Sequence, residues 1–169
     1  NTDTYLSVTE ALKSAAWAEK CEVNIRWINA ETASDKDFSE VDGLLVPGGF
    51  GARGVEGKIA AAKYCIKNNK PYLGLCLGLQ VAVIAAARQG GVQDANSEEF
   101  GAKSGANVIY IMDGQQGKQS TGGTMRLGDY ESVLIPNSQA ARAYGSNEVV
   151  ERHRHRYEVN QDFTQSIEQ

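Results

Sequence analysis

A chain of 169 residues in which 41% are hydrophobic and 22% charged has the composition of a globular protein, long enough for one domain with a sizeable core. Its formal net charge of −4 gives no electrostatic reason to expect nucleic acid or an anionic membrane as a partner. The three cysteines include no CxxC pair, so neither a disulfide framework nor a metal site is indicated, and no stretch approaches the roughly 20 apolar residues of a membrane span. We therefore expect a cytoplasmic protein.

Hydrophobic periodicity predicts alternating strands and helices in the first half of the chain. The predicted order is a helix over 4–19, a strand over 21–28, a loop over 29–40, a strand over 42–49, a helix over 55–69, a strand over 71–75 and a helix over 77–89. The strand over 42–49 has a continuous apolar run, as a strand buried on both faces would. This alternation indicates an α/β fold with an open, mainly parallel sheet.

The second half of the chain is less regular. It is predicted to contain loops over 92–106 and 113–123, a strand over 108–112, hairpin-like strands over 125–135, a short helix over 138–144, a strand over 148–159 and a final helix over 160–169. Because no repeat or linker divides the sequence, we expect a single domain over 1–169. Doubly wound domains usually begin with a strand, whereas this sequence begins in a helical pattern, so we expect a fragment that lacks its first strand.

Cys76 stands where a predicted strand becomes a helix, with Gly74 and Gly78 two positions away on either side. The pattern resembles a nucleophile elbow, a strained turn in which side chains two residues away would collide with the nucleophile or its substrate. The helix dipole and free N–H groups are expected to favour the thiolate, with the amide of Leu77 facing the oxyanion of an attacked carbonyl. A buried structural cysteine beside helix-packing glycines fits the same motif, so both interpretations stay open here.

A second glycine-rich segment, VPGGFGARG over 46–54, follows another buried strand. The carboxyl ends of parallel strands share one edge of a sheet, so Pro47, Gly48 and Gly49 are expected beside Cys76. The backbone of this loop could supply a second oxyanion amide. A phosphate-binding loop is the alternative, but neither GxGxxG nor GxxxxGK[ST] occurs.

Five sequence blocks resemble the glutaminase domain of CTP synthases, which are class I glutamine amidotransferases. These blocks are PGGFGARGVEGKI (47–59), PYLGLCLGLQ (71–80), ANSEEF (95–100), GGTMRLG (122–128) and ERHRHRYEVN (151–160). The resemblance implies a flavodoxin-like α/β sandwich, with a mainly parallel sheet and helices on both faces. It also implies that a cysteine attacks the side-chain amide of L-glutamine, giving a thioester and ammonia before water releases glutamate.

The same resemblance implies partners outside this domain. A synthase domain of the same polypeptide would use the ammonia, with ATP and Mg, to convert UTP to CTP. GTP would act as an allosteric effector, and the full-length protein would be a homo-oligomer, a tetramer by family. The glutaminase domain itself is expected to hold no cofactor or metal.

Matching motifs carry the family's functional residues onto this sequence. The resemblance implies Cys76 as the nucleophile, the amides of Gly49 and Leu77 as the oxyanion hole, and Gly78, Leu79 and Gln80 as further parts of the substrate pocket. Glu99 would bind the α-ammonium of glutamine and Arg156 its α-carboxylate, which an arginine can grip through two hydrogen bonds. Without the resemblance, Glu99 would be interpreted as a solvated loop acid. A strand over 148–159 would place Arg156 on one face with Arg152 and Arg154, where a basic stripe is usually a solvated surface or an interface.

The sequence departs from the family in one respect: the His-Pro-Glu motif that completes the catalytic triad does not occur. A thiol nucleophile and its leaving ammonia need such a base. The two histidines, His153 and His155, stand in a motif that does not hold it, so we expect the His and Glu to lie in sequence absent from this chain. Two alternatives remain: a non-catalytic glutamine-binding or regulatory module, and a cysteine hydrolase of the DJ-1 type.

Overall fold

Residues 2–101, 105–111 and 126–168 are described by the computed structural model of the chain. They fall into two units, one comprising residues 1–110 and 159–169 and the other residues 111–158. The predictions for the Gly- and Gln-rich loop over 113–123, and for most of the GGTMRLG block, lie outside the described residues. The expectation of one domain over 1–169 stays a prediction.

The order of elements confirms an α/β fold. The helices are α1 (Leu6–Ala18), α2 (Asp35–Ser39), α3 (Val55–Asn68), α4 (Leu77–Gln89), α5 (Gln139–Tyr144) and α6 (Thr164–Ile167). The strands are β1 (Leu44–Val46), β2 (Tyr72–Gly74), β3 (Asn96–Ser97), β4 (Asn107–Ile111), β5 (Arg126–Val133), β6 (Glu148–His155) and β7 (Tyr157–Val159). Short 3-10 helices occupy Thr2–Tyr5, Glu98–Phe100 and Gln161–Phe163.

The first unit is built on parallel strand pairs covered by helices. Strands β1 and β2 pair in parallel, with Val46 opposite Gly74, and β3 pairs in parallel with β4 in a sheet of order β3-β4-β7. Helices α3 and α4 pack against each other, and both contact the β1–β2 pair. Their inward faces form most of the core through Val55, Ile59, Ala62 and Cys65 of α3 and Leu77, Val81, Ile84 and Ala85 of α4. Full burial of each large aliphatic side chain contributes about 1.5–3 kcal/mol to the free energy of folding. This packing stabilises the two elements, β2 and α4, that the turn at Cys76 connects.

The prediction of a strand over 21–28 is wrong. None of these residues forms strand pairing in the described part of the chain, and the alternating Val23 and Trp27 side chains are 40% and 51% exposed. Side-chain contacts replace a ladder here: Trp27 stacks on Tyr5, and Arg26 pairs with acids near α2. Alternation predicts a strand only where a neighbouring strand can accept its hydrogen bonds.

The prediction of an unbroken loop over 29–40 is also wrong, because α2 lies within it. Ser34 and Asp37 form a capping box: the side-chain oxygen of Asp37 accepts hydrogen bonds from the Ser34 backbone N–H and hydroxyl. Lys70 donates to the carbonyls of Phe38 and Ser39 at the other end of the helix. The polar residues over 29–40 that suggested a loop include the residues that cap this short helix.

The second unit is an antiparallel ribbon with a short helix. Strand β5 pairs over its whole length with β6, from Arg126 opposite His155 to Val133 opposite Glu148. The region predicted as hairpin-like strands is therefore a single strand over 126–133, whose partner lies beyond α5. Helix α5 confirms the predicted short helix, and its cap is Ser138, whose hydroxyl accepts from the Ala141 N–H.

The strand predicted over 148–159 is interrupted at Arg156, between β6 and β7. The predicted alternation holds within β6, where Arg152 and Arg154 are exposed while His153 and His155 are half-buried. It does not extend to Arg156, which is half-buried and lies in the break. The prediction that three arginines share one strand face is therefore wrong for Arg156.

Candidate active site

The turn at Cys76 has the geometry of an elbow. Strand β2 ends at Gly74 and helix α4 begins at Leu77, so Cys76 occupies the N-cap position of α4. Its backbone has φ 54° and ψ −106°, a conformation that side-chain-bearing residues adopt rarely and at a cost of about 1–3 kcal/mol. The strain is held by hydrogen bonds on both sides, from the Leu75 N–H to the Val46 carbonyl and from the Gln80 N–H to the Cys76 carbonyl.

The flanking glycines serve close backbone packing. A Cβ at Gly74 would lie 2.5 Å from the carbonyl oxygen of Gly78, and a Cβ at Gly78 would lie 1.9 Å from the carbonyl oxygen of Val46. The sequence-based reason, a collision with the nucleophile or its substrate, is therefore replaced by a collision between backbone segments. Only residues without side chains let β1, β2 and α4 approach this closely.

The loop after β1 lies beside the elbow, as the shared edge of a parallel pair predicts. A Cβ added at Gly48 would lie 3.4 Å from the Cβ of Cys76, and one added at Gly49 would lie 3.3 Å from a methyl carbon of Leu77. The backbone N–H groups of Leu77 and Gly49 lie close enough to the Cys76 sulfur to lower the pKa of its thiol. The two amides predicted for the oxyanion hole therefore come from the two segments that meet at Cys76.

Burial of the sulfur raises the pKa of the Cys76 thiol above its ordinary value, and the negative charge of Glu99 raises it further. The neighbouring backbone N–H groups of Leu77 and Gly49 act in the opposite direction but do not outweigh the burial. The side chain remains open to solvent on one side. The backbone amides thus favour the thiolate, as predicted, but burial and the charge of Glu99 outweigh them. A base or a bound substrate would raise the fraction of Cys76 present as the reactive thiolate.

Glu99 lies on the same side of this unit, in the 3-10 helix that follows β3. Its Oε1 accepts a hydrogen bond of 2.8 Å from the N–H of Gly51, which is 48 residues away in sequence. Its own N–H donates to the Oγ of Ser97, a side chain with no exposed surface. The ammonium of Lys58, whose pKa is lowered by burial, interacts with the same carboxylate. Gly51, Ser97 and Lys58 were not foreseen, since no spacing in the sequence connects them to Glu99.

The remaining residues assigned to the pocket lie in the first turn of α4. Gly78 and Gln80 are buried, whereas Leu79 is 53% exposed. The structure therefore places Gln80 against the protein interior and Leu79 at the surface. Their part in binding a substrate stays a prediction.

Arg156 belongs to the second unit and is half-buried there. Its Nε atom is buried and has no hydrogen-bond partner among the described residues. Nearby, the Nδ1 of His155 lies 2.9 Å from the carbonyl oxygen of Tyr157, and the Nε2 of His155 lies 3.0 Å from the Nδ1 of His153. Because a carbonyl can only accept, His155 must donate from Nδ1, which in the neutral ring leaves its Nε2 to accept from His153. Each histidine is thus engaged within the ribbon.

Over the described ranges, no cluster of three His, Cys, Asp or Glu side chains could hold a metal ion. No helix within those same ranges has the length and apolar character needed to span a membrane.

The chain belongs to the class I glutamine amidotransferases, since the sequence model described as "Glutamine amidotransferase class-I" matches residues 1–168. It is 52% identical to the CTP synthase of Methanoculleus marisnigri over 167 residues, which cover 98% of this chain and 31% of that protein. It is 50% identical to the CTP synthase of Archaeoglobus fulgidus, with 98% of this chain and 32% of that protein covered. The chain therefore spans about a third of the length of these relatives.

A solved structure gives the same picture. The "Trypanosoma brucei CTPS - glutaminase domain with bound acivicin" matches this chain with a TM-score of 0.89 and 41% sequence identity. The match covers 98% of this chain and 66% of that one. The predicted class I amidotransferase fold is thereby confirmed.

Proposed function

We propose that this chain is the glutaminase domain of a CTP synthase and that it hydrolyses L-glutamine through a cysteine thioester. The observation that carries the proposal is a strained, solvent-accessible cysteine at the start of α4, with Gly48 and Gly49 of the loop after β1 packed beside it. The N–H groups of Leu77 and Gly49 are close enough to act on its sulfur. A carbon bonded to that sulfur would carry its oxygen within reach of the same two donors. The similarity to CTP synthases supplies the substrate class.

The proposed chemistry follows from these positions. The Cys76 thiolate attacks the side-chain amide carbon of glutamine, and the electron pair of the C=O bond moves to the oxygen. The amides of Gly49 and Leu77 stabilise that oxyanion, and removal of one such donor typically lowers the rate by about 100–1000-fold. The C–N bond then breaks, ammonia leaves after taking up a proton, and the acyl group stays on sulfur. Water hydrolyses the thioester to glutamate and restores the thiol.

The substrate is held at its zwitterionic end in this proposal. Glu99 would accept from the α-ammonium, and Arg156 would donate to the α-carboxylate. The buried Nε of Arg156 has no hydrogen-bond partner within the described ranges, which supports this part: a buried guanidinium nitrogen without a partner is costly, and an anionic ligand would satisfy it.

Two parts of the proposed system are not supplied by the residues of this chain. The base that activates Cys76 would be the His of a His-Pro-Glu motif, because His153 and His155 are engaged with each other and with Tyr157. The ammonia would pass to a synthase domain that uses ATP and Mg to convert UTP to CTP, under activation by GTP. We further propose that the whole protein is a cytoplasmic homotetramer.

Selective labelling of Cys76 tests the proposal. Acivicin is an electrophilic glutamine analogue, and we expect it to modify Cys76 saturably, as read by peptide mass spectrometry of the intact 169-residue chain. Cys21 is an exposed control and Cys65 a buried one. Labelling of Cys21 at the same rate as Cys76, or labelling that glutamine does not slow, would contradict the proposal.

A pair of arginine variants tests the carboxylate site. Arg156→Met is expected to abolish the protection that glutamine gives Cys76 against acivicin, while Arg154→Met, an exposed arginine two residues earlier, should leave it intact. Equal protection in both variants would remove Arg156 from the site. Absence of glutamine protection in the parent chain as well would favour a cysteine hydrolase that does not recognise an amino acid.

A further inference from the structure

We propose that Glu99 is also a positioning residue, whose carboxylate holds the loop over 47–51 so that the Gly49 amide faces Cys76. The inference rests on the proposed function and deepens it. The acid assigned to the substrate's ammonium would then also build half of the oxyanion hole.

The loop over 47–51 makes few stabilising contacts of its own, so its conformation depends on a contact from another part of the chain. Gly48, Gly49 and Gly51 carry no side chain, and Phe50 is 70% exposed, so it does not anchor the segment in the core. Across the described ranges, residues 47–50 take part in no backbone–backbone hydrogen bond. Gly51 has φ +75° and open space around its Cα, so packing does not fix its conformation either.

Glu99 supplies that contact through its carboxylate. Its Oε1 accepts from the Gly51 N–H at 2.8 Å in a partly buried position, where a hydrogen bond to a carboxylate is roughly twice as strong as a neutral one. Gly51 is two residues from Gly49, which packs beside Leu77 and whose N–H is close enough to act on the Cys76 sulfur. Loss of the hydrogen bond at Gly51 would let the loop over 47–51 move. The Gly49 N–H would then no longer be held facing Cys76.

Glu99 is itself held by a hydrogen bond from its backbone, and one of its carboxylate oxygens remains available to a ligand. The Ser97 hydroxyl, fully buried, accepts from the Glu99 N–H at 3.2 Å. The second carboxylate oxygen, Oε2, has no hydrogen-bond partner among the described residues, so it can accept from an ammonium while Oε1 keeps Gly51. The two roles of Glu99 can therefore be separated by a ligand that has no amino group.

The experiment uses 5-oxopentanoate labelled with ¹³C at the aldehyde carbon, a ligand with a carboxylate and no ammonium. Its aldehyde adds to Cys76 with formation of one S–C bond, and the thiol proton moves to the former carbonyl oxygen, which then lies at the oxyanion amides. The dissociation constant is read from the ¹³C NMR signal of the adduct with the 169-residue chain at pH 6.5. Cys76→Ala identifies the signal.

Two variants at position 99 are compared. Glu99→Gln keeps an oxygen that accepts from the Gly51 N–H, so the affinity is expected to stay within about threefold of the parent chain. Glu99→Ala removes the acceptor and is expected to weaken binding by roughly tenfold or more, as loss of an oriented oxyanion donor would. Glu98→Ala, the exposed neighbouring acid, is the charge-matched control and should bind as the parent does.

Hydrogen exchange of the Gly51 amide is the second readout, and protection should survive in Glu99→Gln and disappear in Glu99→Ala. Equal affinity in all chains, or equal losses in Glu99→Gln and Glu99→Ala, would overturn the positioning role. Its failure differs from a failure of the proposed function, which would show as the absence of selective acivicin labelling in the parent chain.

Discussion

The elbow over 74–78 and the loop over 47–51 are both rich in glycine, yet different forces hold them. At the elbow, an added Cβ would lie 1.9–2.5 Å from backbone oxygens, so the glycines are required by contact between main chains. In the loop, added Cβ atoms would meet side-chain atoms at 3.3–3.4 Å or nothing, and a hydrogen bond to a distant carboxylate fixes the segment. One half of the site is set by packing and the other by an electrostatic contact.

The difference predicts two kinds of variant. Changes at the elbow should lower the free energy of unfolding, because they separate β1, β2 and α4. Changes at the contact between Glu99 and Gly51 should alter the chemistry of Cys76 with little effect on stability.

The largest effect is expected for Gly78→Ala. Its Cβ would overlap the Val46 carbonyl oxygen at 1.9 Å, and no side-chain rotation can relieve an overlap with backbone. We expect the free energy of unfolding to fall by about 3 kcal/mol or more, measured by urea denaturation.

Gly91→Ala is the matched control for that change. Gly91 has φ +97° and nothing within 4 Å of an added Cβ, so only backbone strain of about 1–2 kcal/mol applies. If the two substitutions cost the same, close packing is not what requires a glycine at the elbow.

A smaller loss of stability is expected for Tyr72→Phe. The Tyr72 hydroxyl donates to the Gly78 carbonyl at 2.8 Å, and burial raises the pKa of that phenol well above its ordinary range. Loss of this buried hydrogen bond should lower the free energy of unfolding by about 1 kcal/mol, measured as a shift of the urea midpoint. A midpoint equal to that of the parent chain would show that the bond does not stabilise the elbow.

Glu99→Gln should change the pH dependence of Cys76 without this loss of stability. Burial and then the charge of Glu99 raise the pKa of the thiol, so removal of the charge should lower that pKa. The rate of alkylation by iodoacetamide at Cys76, followed by peptide mass spectrometry, should therefore reach its midpoint at a lower pH. Cys21 in the same samples is the internal reference, and an unchanged or higher midpoint at Cys76 would contradict the electrostatic contact.

The smallest effect is expected for Lys58→Met. Burial lowers the pKa of Lys58, which means that the charged form is penalised in the folded chain at neutral pH. Methionine keeps the apolar stem, so stability should rise, within about 0.5 kcal/mol. A clear loss of stability would indicate that the ammonium supports Glu99 and the loop more than its burial costs.

The parts predicted well from sequence are those fixed by local chain chemistry. The junction at Cys76 combines a short apolar strand, two glycines and a helix, and each feature is visible within a few residues. The position of Gly49 followed from the shared edge of parallel strands. The hydrogen bond between Gly51 and Glu99 could not be foreseen, because it joins residues 48 positions apart without a periodic pattern.

The errors have physical causes of the same kind. The segment over 21–28 has strand-like alternation, but a strand is completed by hydrogen bonds to a neighbour, which alternation does not reveal. The pattern of β6 continues through Arg156, yet the backbone breaks there. The elbow motif correctly indicates that backbone amides favour the Cys76 thiolate, but it does not reveal the burial and the charge of Glu99 that raise the pKa of the thiol overall.

The closest contacts at the elbow are between main-chain atoms, so replacement of neighbouring side chains should have little effect on the position of Cys76. Leu73 and Leu79 flank the turn, but they are 52% and 53% exposed, and their side chains take no part in its closest contacts. Such positions can drift over evolutionary time without moving the sulfur, whereas one methyl group at position 74 or 78 would displace it. The position of Cys76 thus depends on the hydrogen atom that each of Gly74 and Gly78 carries in place of a side chain, so substitution there would disrupt that position and could not adjust it gradually.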